Sequence, residues 1–126
     1  MAMLCEVANA EESLAFLEGA LKYGAYNYRV VGVKSGIYLD AARRHLAKYI
    51  NGEDRDPKTG VHHLGSVRAC TGIILESDAM GILVDTRPPR NPHFSAQLDA
   101  LEARVKHLKE VFKEHNPTHY TIAYEK

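Results

Sequence analysis

Tryptophan is absent from this chain, cysteine occurs twice, and acidic and basic residues balance at sixteen each. Cys5 and Cys70 are too few and too far apart in sequence for a disulfide framework. Cys70 falls in an apolar helical stripe, where a buried free thiol is expected. No apolar run reaches the length of a membrane span, and the opening MAMLCEVANAEES lacks the basic start and apolar core of a signal peptide. A reducing cytoplasm is the expected location. Without a net positive charge or a Lys/Arg block, no nucleic-acid partner is indicated, and any anion affinity must come from local clustering. Also missing are a Gly-rich phosphate loop, G-x-G-x-x-G, a G-x-S-x-G elbow and paired C-x-x-C motifs. There is no internal repeat.

What remains is 126 residues, 45% hydrophobic and 25% charged, typical of a soluble globular domain with one core. The most distinctive stretch is the connector Gly52–His63, GEDRDPKTGVHH, between two segments that read as helices. Glu53, Asp54 and Asp56 could hold a divalent cation or pair with arginines. His62 and His63 could ligate metal, move protons or meet phosphate. The carboxylates of the first helix, Glu11, Glu12 and Glu18, are not spaced to converge on one ion.

Along the chain, Asn9-Ala-Glu-Glu12 has the form of a helix cap, and Leu14, Leu17 and Leu21 mark a buried stripe that stops at Gly24. Lys22-Tyr23-Gly-Ala-Tyr26-Asn27-Tyr28-Arg29 then combines aromatic faces for a base, an amide for a base edge and cations for phosphate. Equally, those tyrosines could seal the edge of the core with their hydroxyls wet. A second helix spans 35–51, with Leu39, Ala42, Leu46, Tyr49 and Ile50 as its apolar stripe. Arg43, Arg44, His45 and Lys48 form a basic face there, either a phosphate clamp or a solvated surface with one Asp40–Arg44 pair. A third helix, 60–76, is apolar over much of its circumference. Its Gly65 and Gly72 would admit a close neighbour, so it should be central. Ile82-Leu-Val84 reads as strand or helix remnant, and the prolines of Asp85–Pro92 as an extended linker. From Ser95 to His115 a last helix carries the seam Leu98, Leu101, Val105, Leu108 and Phe112. Alternation over His119–Tyr124 predicts a short terminal β-strand.

Taken as an ordered set, Lys22-Tyr-Gly-x-x-Asn-Tyr-Arg29, Arg44-His-Leu46, Gly52-Glu53, Asp56, Gly60, His63-Leu64 and Asp85-x-Arg87-Pro88 resemble a phage-encoded family, dATP/dGTP diphosphohydrolase, N-terminal. The likeness covers about residues 14–90. It implies kinship with the MazG-like all-α nucleoside triphosphate pyrophosphohydrolases, which hold Mg²⁺ with E-E-x-x-E on one helix and E-x-x-D on the next. This chain departs from that pattern, with Asp40-Ala-Ala-Arg-Arg-His45 and His63-Leu-Gly-Ser66 in those places.

The expected fold is therefore all-α: a compact MazG-like bundle with a long C-terminal helix and a terminal strand, and little other sheet. Residues 1–90 would form the nucleotide-binding core and 91–126 an oligomerisation element. The resemblance implies a Mg²⁺-dependent dNTP pyrophosphohydrolase, acting in the cytoplasm of a phage host. Glu53, Asp54 and Asp56 would be metal ligands, and Glu53, Asp56 and His63 the catalytic groups. Lys22, Tyr23, Tyr26, Asn27, Tyr28, Arg29, Arg43, Arg44, His45, Lys48, His62 and Arg87 would contact the nucleotide. The alternatives are a non-catalytic protein that sequesters a nucleotide signal of host immunity, and a helical interaction domain whose polar connector only caps two helices. Partners would be a nucleotide and further copies of the chain, with no nucleic acid and no membrane.

Overall fold

A computed structural model describes residues 3–125. Its elements in chain order are α1 (Glu6–Tyr23), α2 (Asn27–Val31), β1 (Val33–Lys34), α3 (Ser35–Ile50), α4 (His63–Ala79), β2 (Leu83–Val84), α5 (Phe94–Val111) and a 3-10 turn (Ile122–Tyr124). The fold is all-α apart from the minimal sheet, and the chain divides between Arg87 and Pro88 into two compact units. No helix is long and apolar enough to cross a membrane among the described residues.

In the first unit α4 is central and packs against both α1 and α3. The approach of α1 is set by Gly65, where an added Cβ would sit 2.6 Å from the Glu11 carbonyl oxygen. Polar ties hold the two helices together across the glycine. Arg68 donates to Asn9 (2.6 Å) and Glu12 (3.2 Å), and Arg55 of the connector grips Glu11 through both guanidinium nitrogens. Asn9 is thus not a cap. The helix begins a turn earlier, at Glu6, because the Asn9 side chain accepts from Arg68 across the helix pair instead of from its own backbone.

That packing also overturns the expected stripe on α1. Leu14, Leu17 and Leu21 are exposed, Leu21 by 80%. The face that meets α4 is the one carrying Glu11, Glu12 and Phe16, since only there can α1 come close over Gly65 and Gly72. On α3 the buried stripe is likewise rotated. Ser35 and Ala42 are buried while Leu39, Leu46, Tyr49 and Ile50 are exposed, so the inner face runs Ser35, Tyr38, Ala42, His45. The core is built from small and polar residues, and that is why close helix approach matters so much.

β1 and β2 pair in parallel, Val33 with Leu83 and Lys34 with Val84. Ile82–Val84 is therefore a strand in part, and the two-residue pair is the little sheet expected outside the terminal segment. Gly32, at φ +72°, enters β1 with the Ile82 carbonyl oxygen 3.0 Å from where a Cβ would lie. Two hydrogen bonds then tie the start of α3 to the stretch after β2. Ser35 Oγ accepts from the Thr86 amide (2.9 Å), and the Gly36 amide donates to Thr86 Oγ1 (2.8 Å).

In the second unit α5 stops at Val111, short of His115. The expected terminal strand is a 3-10 turn: Thr121 Oγ1 accepts from the Ala123 amide at 3.3 Å and the Tyr120 and Tyr124 rings meet edge to face. Period-2 alternation makes a strand only where a neighbouring strand completes its hydrogen bonds, and the local cap satisfies them here.

Candidate functional site

A cleft of about 420 Å³ opens among α1, α2, α3 and α4. The turn after α1 places its first wall. Gly24, at φ +94°, ends the helix, and Tyr26 follows in the left-handed region at φ 58°. The turn carries Tyr26, Asn27 and Tyr28 into the cleft lining, next to Tyr23 at the end of α1. Tyr28 is buried against Phe16, with ring centroids 6.4 Å apart, and forms structure as much as surface. Tyr23 and Tyr26 are exposed.

Basic groups line the same cleft. Arg44 and His45 project from α3, and Lys22 from the end of α1. Lys22 donates to Glu18 at 2.9 Å. Arg44 makes no ion pair among the described residues, and the Asp40–Arg44 pair expected along α3 does not form because Arg44 turns to the cleft. An unpaired guanidinium beside exposed aromatic rings suits a phosphorylated aromatic ligand.

His45 leads into a polar line whose middle member is buried. Its Nδ1 lies 2.9 Å from Nδ1 of His63, whose Nε2 lies 3.1 Å from Glu53 Oε1. His63 is fully buried, at 0% exposure. His45 is held below its ordinary pKa of 6.5, first by loss of water around it, then by His63 and the cations Lys48 and Arg44, against an opposing pull from Glu18. Burial likewise pushes the Cys70 thiol and the Tyr38 hydroxyl up. Since the unfolded chain binds a proton at His45 before the folded chain does, stability should fall as pH drops below about 6.5. Melting curves from pH 7 to pH 5 should show a smaller decline for His45→Gln than for the unsubstituted protein.

The remaining expected residues are employed elsewhere. Arg29 pairs with Glu76 at 2.7 Å and lies 5.1 Å over the Tyr26 ring, bracing that ring from outside the cleft. Arg87 grips Asp85 with two nitrogens (2.9 and 2.6 Å), which holds the Asp85 carboxyl far below the usual carboxylate range. His62 caps α4, its Nδ1 accepting from the Leu64 amide at 3.0 Å, and its ring lies tilted against Tyr49, centroids 5.7 Å apart. Arg43 and Lys48 do not line the cleft.

The connector carboxylates diverge. Glu53 points to His63, the Asp54 backbone carbonyl accepts from the His63 amide, and Asp56 Oδ1 accepts from the Lys58 and Thr59 amides at 2.8 and 3.0 Å. Those amides hold Asp56 below the usual carboxylate range. Among the described residues no three His, Cys, Asp or Glu side chains are grouped to hold a metal ion. Glu53, Asp54 and Asp56 therefore do not fit a resident Mg²⁺, because Glu53 and Asp56 are engaged by different partners and no three ligating side chains are grouped among the described residues. Of the expected catalytic groups Glu53, Asp56 and His63, only Asp56 lines the cleft. Sequence reasoning missed Glu18, Tyr38, Ser66 and Cys70 on the walls. Two signals were present, the Glu18–Lys22 spacing of four and the Tyr38–Ala41–His45 spacing of three then four on one face of α3.

Residues 1–87 match the family described as dATP/dGTP diphosphohydrolase, N-terminal. The chain belongs to that family. No curated protein and no solved structure matches it. Every residue lining the cleft lies within the span matched to the diphosphohydrolase family.

Proposed function

We propose that this member of the diphosphohydrolase family binds a purine deoxynucleoside triphosphate in the α1–α4 cleft and cleaves it to the monophosphate and pyrophosphate. One observation carries the binding half of the reading. The cleft brings the unpaired Arg44, with Lys22 and His45, together with Tyr23, Tyr26 and Asn27. Phosphate oxygens would meet the guanidinium fork and the lysine, while an aromatic base would lie on exposed tyrosine faces with Asn27 at its edge. A cleft of this volume is within the range of small-molecule sites. Cleavage is supported by the family description.

The divergence of Glu53, Asp54 and Asp56 favours a second reading, capture without turnover. A phage-encoded protein in the host cytoplasm would then withdraw a nucleotide signal of host immunity. Calorimetry against dATP, dGTP, dCTP and dTTP, with Mg²⁺ and with EDTA, with product analysis on the same samples, separates the two. Purine preference with pyrophosphate release supports hydrolysis, and tight binding that persists in EDTA without product supports capture. No binding by any of the four nucleotides, nor by cyclic nucleotides, would sink both.

The reading includes a homo-oligomer. Leu98, Leu101, Val105, Leu108 and Phe112 are each about half exposed along one seam of the second unit, and a second copy would cover them. Leu101→Glu with Leu108→Glu should reduce the mass seen by light scattering to that of a single chain. A single-chain mass for the unsubstituted protein at micromolar concentration would refute it.

A further inference from the structure

The line Glu53–His63–His45 has a direction, and its proton inventory can be worked out from geometry. A carboxylate only accepts, so His63 Nε2 carries the proton in its contact with Glu53 Oε1 at 3.1 Å. Taken as a neutral imidazole, His63 donates its one N–H to Glu53, and its Nδ1 accepts. The two facing Nδ1 atoms, 2.9 Å apart, then share one proton, carried by His45. His45 is then the Nδ1–H tautomer, with a lone pair on Nε2. That nitrogen has no hydrogen-bond partner among the described residues, and His45 lines the cleft beside Arg44. His63, fully buried, meets no ligand itself.

We infer that His45 is the proton acceptor for the water that attacks the nucleotide, with His63 and Glu53 as positioning residues that fix its tautomer. The inference rests on the hydrolytic reading above. The water oxygen bonds to the α-phosphorus as the bond from that phosphorus to the bridging oxygen breaks. The bridging electron pair leaves with pyrophosphate, and the water proton passes to His45 Nε2 and then to solvent. The charged groups facing His45 are Glu18 from α1 and Arg44 and Lys48 from α3 itself, with Asp56 of the connector on the cleft wall, and the titratable His63 faces it from α4. A neutral imidazole is the form a base requires, and its surroundings favour that form.

The test is dGTP hydrolysis followed by pyrophosphate release across a pH series, with nucleotide binding measured in parallel. His45→Gln should lower kcat roughly 10²- to 10⁴-fold with KM within about threefold, the span of a lost general base. Added imidazole should restore part of the rate to His45→Ala. Glu53→Gln should lower kcat less and move the acidic limb of the pH profile to lower pH, because a negative charge no longer favours the imidazolium. A purely structural role for Glu53 would leave the limb in place. On the unsubstituted protein, long-range ¹⁵N–¹H correlation should show His45 with its proton on Nδ1, a readout independent of any variant's folding. Hydrolysis by the unsubstituted protein with His45→Gln within about threefold of it, or a proton on Nε2, overturns the relay alone. Nucleotide binding with no product from the unsubstituted protein overturns the hydrolytic reading and the base together.

Discussion

Arg44→Ala should weaken binding of dGTP roughly 10- to 150-fold. The figure follows from a hydrogen bond to a charged group, about 1.5–3 kcal/mol. Arg44 is singled out because its guanidinium lines the cleft without an ion-pair partner among the described residues, while Arg29, Arg55, Arg68 and Arg87 are each matched to a carboxylate. A charge already neutralised by a neighbour has less to offer a phosphate than a free one. Arg43→Ala, one position along α3 and outside the cleft, should leave affinity unchanged within about twofold. Arg44→Lys should fall between, since an ammonium keeps the charge and loses the planar fork. Added salt should weaken binding to the unsubstituted protein more than to Arg44→Ala, because one screened contact has been removed. Titration calorimetry reads all of this. If Arg43→Ala weakens binding and Arg44→Ala does not, the phosphate site lies elsewhere on α3.

Gly65→Ala should lower the melting temperature on the order of 5–20 °C, from an overpacking cost of about 1–3 kcal/mol in a unit of this size. The added methyl would lie 2.6 Å from the Glu11 carbonyl oxygen and 2.9 Å from its carbonyl carbon. Both are backbone atoms, so no side-chain rotation relieves the clash and α1 as a whole must move. Arg55 and Arg68 resist that movement through their contacts with Glu11, Glu12 and Asn9. Moving α1 would also shift Glu18 and Lys22 on the cleft wall, so nucleotide binding should weaken in parallel. Gly19→Ala is the matched control. Nothing lies within 4 Å of its added carbon, and alanine in mid-helix is favoured by about 0.5–1 kcal/mol. A Gly65→Ala protein that melts at or above the unsubstituted one would mean that the α1–α4 contact is looser than described.

Much of the architecture was legible in the residues. Gly24 as the stop of α1, Ser35 as the start of α3, α4 as the central helix and its glycine-lined close contact all follow from local chemistry and periodicity. So does the grouping of Lys22, Tyr23, Tyr26, Asn27, Tyr28, Arg44 and His45, most of which lie within one short stretch or on one helical turn. Charged connector residues were harder to read. Glu53, Asp54 and Asp56 are close in sequence, yet Glu53 meets His63, Asp56 meets the Lys58 and Thr59 amides, and Asp54 contributes only its backbone carbonyl.

The sequence by itself determined that the chain is helical, where most of its helices run, and which short segments carry the chemistry of a phosphorylated aromatic ligand. Those properties depend on residues a few positions apart, and such information is local. The tertiary structure alone decided which face of each helix is inside. An apolar stripe on α1 stays exposed because the glycines of α4 admit a helix only on its other side, and α3 turns a polar face inward to match. It also decided that His63 is buried between Glu53 and His45, residues ten and eighteen positions away in the chain. No spacing rule encodes that line, since it exists only once α3 and α4 have packed.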